Sequence, residues 1–333
     1  MASNEQSATI PSNDLFAAAP SNTTNSTIVG LNTAPSILAQ LMNPTTAPQK
    51  IFCHRLLARV FFKECTCETH AEPSYLNYPY SCRLIRFGDE IPIIPHQRPY
   101  IIVGSRQRPY EALQLVSSAT QYFSRPEGEM APEQQDSLKY IRKCFSEGDL
   151  DNLGAEDARL TFSVDSMTFL VTHLLFVFFF GAEIPLEVFW ECDFLDRSNW
   201  LCVPQTRYRD GNEYESITIH PKKMTTTTAI APNQTYARAL QRLGTLMHEL
   251  IQAVLKLLAC RQCVVSTENL AHHGRAWQRL ALAIEREFLK LFGLQLDLGR
   301  MNGVTYDMDD SATGCNHPSV HDLVMYGFVE GFR

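Results

Sequence analysis

The sequence predicts an α+β fold, and three observations predict it. Over 245–258, TLMHELIQAVLKLL continues from Leu243 to place Leu246, Met247, Leu250, Ile251, Val254, Leu257 and Leu258 on one face at i, i+3, i+4, i+7 spacing, the signature of an amphipathic helix. A second such helix follows His272, His273 and Gly274, with Trp277, Leu280, Ala281, Ile284, Phe288, Leu291 and Phe292 inward and Gly293 as its stop. Ahead of both, ESITIH at 215–220 alternates with the two-residue period of a strand, behind an Asp-Gly turn signal at Asp210 and Gly211. The predicted order is a helix, a small antiparallel or mixed sheet, and two helices.

Taken in order, residues 1–48 are Ser, Thr, Asn, Ala and Pro with scattered aliphatics and no sustained period. Such a segment buries too little surface to offset its ordering entropy, so a disordered low-complexity tail is expected. Residues 51–150 form a poorly defined region and linker: short β-rich runs broken by Pro and Gly, then a polar, acidic stretch carrying one helix over about 132–145. A boundary is expected near Gly148 to Ala155, with the main domain over 160–300 and a C-terminal tail, a distal strand or mobile segment, over 301–333. The apolar run 167–182 reads as a helix, and strands are expected at 186–192, 200–204 and 215–220.

Composition sets the class. The chain has 333 residues, 45% of them hydrophobic, which is ample for a core. A net charge of -7 argues against nucleic-acid binding through bulk charge. The opening MASNEQSATIPSND lacks a basic region and an apolar run, so no secretory signal is expected. Ten cysteines in such a chain are expected as reduced thiols or metal ligands, and an intracellular site, nuclear or cytoplasmic, follows as the default. The 16-residue run 167–182 is short of the ~20 residues that span a bilayer, which leaves a membrane anchor as a minor alternative.

The chemistry lies on the long helix. Positions four apart project in nearly the same direction, which is how HExxH helices present two imidazoles to one zinc ion. Here His248 and Gln252 hold those positions, so a carboxamide replaces the second imidazole. Glu249 stands where such helices place the carboxylate that takes a proton from metal-bound water. The pattern is HExxQ, and a histidine just ahead of the next helix could reach the same metal.

TLMHELIQA, the Cys-containing connection, HHGRAWQRLALAIE and FGLQLDLGR together resemble the core of SprT-like zinc metalloprotease domains, particularly the fungal members. The resemblance extends upstream to about Met167, where Phe179, Phe180 and Gly181, then 184–190, fill the places of a turn and a Trp-ended strand. It implies a zincin-like fold, Zn²⁺ held by His248 and His273, and Glu249 as general base. Gln252 departs from the pattern and weakens the ion's hold. His272 is an alternative ligand. The resemblance further implies a protein substrate or partner and, through relatives that cleave proteins crosslinked to DNA, an association with DNA.

Two readings follow: a catalytically degenerate scaffold that binds a protein partner, or a working zinc peptidase with an unusual third ligand. A membrane-anchored interaction protein is a weaker third. Other cysteine and histidine groups carry less signal. Cys53, His54, Cys65, Cys67, His70 and Cys82 lack the paired spacing of a zinc knuckle, and Cys260 and Cys263 form a lone C-x2-C pair. Cys315, His317 and His321 close the chain without the paired C-x2-C units of a zinc ribbon. His173 reads as a core or interface histidine rather than a ligand.

Overall fold

The computed structural model describes residues 91–101, 110, 112–192, 201–209, 212–225, 233–259, 273–309 and 320–328. Within them the fold is α+β: helices α1 (Ala112–Ser124), α2 (Pro132–Ser146), α3 (Asp149–Gly154) and α4 (Val164–Phe178) precede strands β1 (Leu186–Trp190), β2 (Cys202–Arg209) and β3 (Asn212–Ile219). Then come α5 (Gln234–Leu258), α6 (Arg275–Phe292), α7 (Arg300–Asp309) and α8 (Val320–Met325). The expected tail 1–48, the cysteines before residue 91, and Cys260, Cys263, His272, Cys315 and His317 lie outside the described residues.

The ends of the helices follow local chemistry. At the start of α4, Ser163 accepts a hydrogen bond from Ser166 N–H at 3.0 Å, and Asn233 caps α5 by accepting from Tyr236 N–H at 3.0 Å. Helix α4 closes where Phe180 and Gly181 turn left-handed at φ 63° and 66°. The Tyr122 hydroxyl and the Gln134 amide donate to the carbonyls of Phe176 and Val177, each at 2.9 Å, so the last turn is satisfied by side chains of α1 and α2. Gly293 ends α6 at φ 69°, the left-handed stop its position predicts. Helix α4 has 15 residues, and among the described residues no helix is long and apolar enough to cross a membrane.

The sheet is mixed, with β3 in the centre, β1 parallel to it and β2 antiparallel at the edge. Strands β2 and β3 pair from Cys202 with Ile219 to Arg209 with Asn212, so the hairpin runs further toward the Asp-Gly turn than the short strands expected at 200–204 and 215–220. Alternation alone underestimates such strands because the polar residues at their turn ends pair through backbone. Ile217 and Ile219 enter the core, while Glu215, nearly fully buried, takes an ion pair from Lys256 of α5 at 3.2 Å and a hydrogen bond from Thr206 at 2.8 Å.

One apolar cluster joins α1, α2, α4, the sheet, α5 and α6, including Leu115, Phe123, Ile141, Phe178, Met247, Leu250, Trp277 and Phe288. The helices of the polar, acidic stretch therefore share this core. Arg142 of α2 donates to the Leu291 carbonyl at 3.0 Å, and Phe145 meets Phe292 at 5.7 Å. Buried Arg242 of α5 donates to the carbonyls of Leu153, Ala155, Glu156 and Pro221, fastening the end of α3 and the chain after β3 to the long helix. Burial lowers its guanidinium to about 10.

The segment after Gly293 corrects an expectation. A distal strand or mobile tail is expected past Arg300; residues 300–309 and 320–325 are instead helical, while 310–319 and 329–333 lie outside the described residues. Leu294, Leu296 and Leu298 alternate into the core. Arg300, buried, pairs with Glu285 at 3.0 Å and donates to the Tyr326 carbonyl. Asp322 of α8, fully buried, takes a two-pronged bond from Arg275 at 2.6 and 2.9 Å. The polar tail sequence hides these anchors because they are charge pairs rather than apolar contacts.

Candidate metal centre

His248 sits past the middle of α5, on the side turned toward the chain between α6 and α7. Its Nδ1–H donates to the Leu298 carbonyl at 2.7 Å. A carbonyl can only accept, so Nδ1 carries the proton, and the Nε2 lone pair is what the ring offers in its neutral form. His273 stands just before Gly274, the N-cap of α6. Its Nε2 lies 2.9 Å from His248 Nε2. The Gln252 amide lies one turn along α5 from His248, 2.9 Å from His248 Nε2 and 3.3 Å from His273 Nε2. The two imidazoles and the carboxamide that the spacing singles out therefore meet at one point.

The surroundings hold the rings in place. Trp277, 2% exposed, stands with its ring 4.7 Å from each imidazole and donates to the His248 carbonyl at 3.4 Å. On the far side is α7, where a Cβ added at Gly303 would stand 2.9 Å from His273 Cγ. Only a residue without a side chain lets the helix backbone come so close.

Glu249, the next residue of the helix, meets strand β2. It is 6% exposed, and its carboxyl takes a hydrogen bond from the thiol of Cys202 on β2. Burial pushes it up to about 8, with the Cys202 bond pulling weakly the other way, so the group is largely protonated at neutral pH. One carboxyl oxygen, Oε2, is buried with no hydrogen-bond partner among the described residues.

His248 Nε2 is an acceptor, and a donor from His273 Nε2–H or from the Gln252 amide satisfies it. Zinc bonds of ~2.0–2.1 Å in tetrahedral array would set the two nitrogens roughly 3.3–3.4 Å apart, so an ion would need the rings to open by about half an ångström. Among the described residues no group of three His, Cys, Asp or Glu is arranged to hold a metal ion. The third donor here is Gln252.

No family model, curated protein or solved structure matches this chain.

His173 behaves as a structural residue: it stacks on Tyr140 at 4.0 Å, and its Nδ1 lies 3.1 Å from the Ser137 hydroxyl. Residue-type reasoning missed the Leu298 carbonyl, Cys202 and Gly303. A backbone carbonyl leaves no mark in the sequence, and Cys202 lies far from the motif along the chain. Gly303 lies in a stretch whose residues show no helical period, so its close approach to His273 left no signal either.

Proposed function

We propose that this chain is a SprT-type, zincin-like domain whose metal centre has degenerated, and that it serves as a scaffold for binding a protein partner. The observation that carries the reading is the placement of Gln252. Its amide is within hydrogen-bond reach of both imidazole Nε2 atoms, so the chain's own N–H can answer lone pairs that in an HExxH site answer to a cation. A neutral carboxamide is a poorer zinc donor than imidazole, and since even outer-shell changes cost about 10–100-fold in affinity, a change of ligand costs at least that.

The donor set fits zinc in part. His248 and His273 would hold the ion through Nε2, with the Gln252 carbonyl oxygen, reached by rotating the amide, as a weak third donor. When bound, the ion would polarise a carbonyl and acidify a water. The chain's own contributions are the Leu298 carbonyl, which fixes the His248 tautomer, and Glu249, a proton acceptor only after it has lost the proton its burial favours. This donor set also favours a second reading, a working zinc endopeptidase. An association with DNA-bound proteins rests on the resemblance alone.

Zinc titration of the purified chain separates the two. The degenerate reading expects less than a tenth of stoichiometric zinc at micromolar metal, and expects Gln252→His to gain at least tenfold in affinity. Near-stoichiometric zinc in the parent, lost in His273→Ala and accompanied by proteolysis that Glu249→Gln abolishes, would overturn it in favour of the peptidase.

A further inference from the structure

We propose that the groove between α2, α3 and α4 binds a trimethylammonium group, the head of a choline-like compound or of a trimethylated lysine side chain. It uses none of the residues of the His248 centre. The groove, open to solvent, has a volume of about 240 Å³, and the residues lining it include the aromatics Tyr140, Phe145, Phe162 and Phe169 and the acids Asp149 and Asp165. No Lys, Arg or His lines it; His173, stacked on Tyr140, stays outside the lining. Phe169 is 57% exposed, and its ring stands 5.9 Å from that of Tyr140, so an apolar wall is left open to solvent.

Charge decides the class of ligand. Asp149 and Asp165 form no ion pair among the described residues. Each lies in the first turn of its helix, where the backbone supplies roughly half a positive charge. Two carboxylates against two such helix ends leave about one negative charge in the groove, and less is offset at α3, which has only six residues. A monovalent cation balances that charge. Calcium-type ions need six to eight oxygen ligands, which aromatic side chains do not supply. An alkylated ammonium is suited to it, because its charge is attracted to ring faces while its methyl groups take up apolar surface. The volume exceeds the ~150 Å³ that accepts benzene and falls short of the ~300 Å³ at which drug-sized pockets begin, which suits a single head group.

The test is calorimetric or NMR titration of the full chain with choline, with Nε-trimethyl-lysine, and with 3,3-dimethylbutan-1-ol, the neutral shape-mimic of choline. Saturable binding of at least one ammonium compound, at least tenfold tighter than the alcohol, is expected. Phe169→Ala, a change at an exposed position, and Asp165→Asn should each weaken it at least fivefold, while His248→Ala leaves it unchanged. The better-bound ammonium compound identifies the source. Absence of saturable ammonium binding, equal binding of the neutral alcohol, or full binding by Phe169→Ala overturns the proposal.

Discussion

Gly303 and His273 touch so closely that a methyl group on the glycine would stand 2.9 Å from the imidazole Cγ and 3.0 Å from its Cβ. Replacing a helical glycine by alanine ordinarily stabilises by up to ~1 kcal/mol. Here the added carbon forces the ring or the helix to move, and overpacking of this kind costs about 1–3 kcal/mol. Gly303→Ala should therefore lower the melting temperature instead of raising it, and in a Gln252→His background it should weaken zinc binding at least several-fold. An alanine variant more stable than the parent, with zinc affinity intact, would show that His273 is not held by α7.

The hydrogen bond from His248 to the Leu298 carbonyl fixes a tautomer that can be observed directly. At neutral pH, nitrogen-15 spectra of the imidazoles should show His248 protonated on Nδ1, with that proton slow to exchange. A ring protonated on Nε2 instead would point its lone pair away from Gln252 and His273 and would remove the basis of the shared centre.

How much of this could be read from the residues differs by element. The repeat of apolar positions on α5 and α6, the Gly293 stop and the HExxQ spacing are local patterns, and the two amphipathic stretches and the His248, Gln252 and His273 cluster follow from them. The first part of α5, from Gln234 to Arg242, gives a weaker pattern because its buried face carries only Ala239 and the charged Arg242 ahead of Leu243, and Gly244 follows. Arg242 is buried by donating to four carbonyls, and a Cβ at Gly244 would stand 2.5 Å from the Asp297 carbonyl oxygen. Both are contacts with distant backbone, which leaves no period in a sequence. The packing of α3 was hidden for the same reason, since a polar, acidic stretch gives no hint that an arginine elsewhere will claim its carbonyls.

The pair of Arg275 and Asp322 ties α8 to the first residue of the helix that follows His273. Removing one partner of a buried ion pair typically costs about 3–5 kcal/mol, because the other charge is left without compensation. Asp322→Ala should destabilise the chain by an amount of that order in urea unfolding, and hydrogen exchange should quicken at the start of α6 first. A loss below about 0.5 kcal/mol would place the pair with exposed ion pairs, which are worth little.

Glu249 makes stability fall as pH rises. Its folded-state value of about 8 lies above the ordinary 4.5 because burial penalises the charged carboxylate. The folded chain therefore holds this proton more tightly than the unfolded chain does. The stabilisation from the protonated form is complete below about pH 4.5, is lost progressively up to about pH 8, and stays lost above that. The slope in this window is at most ~1.4 kcal/mol per pH unit for one proton. Glu249→Gln keeps the shape without the titration, so in the presence of a chelator the variant should lose that slope and gain on the parent most at pH 8. Urea unfolding of both proteins at pH 5, 6.5 and 8 measures the difference, and parallel profiles would mean that water reaches the carboxylate in the folded chain.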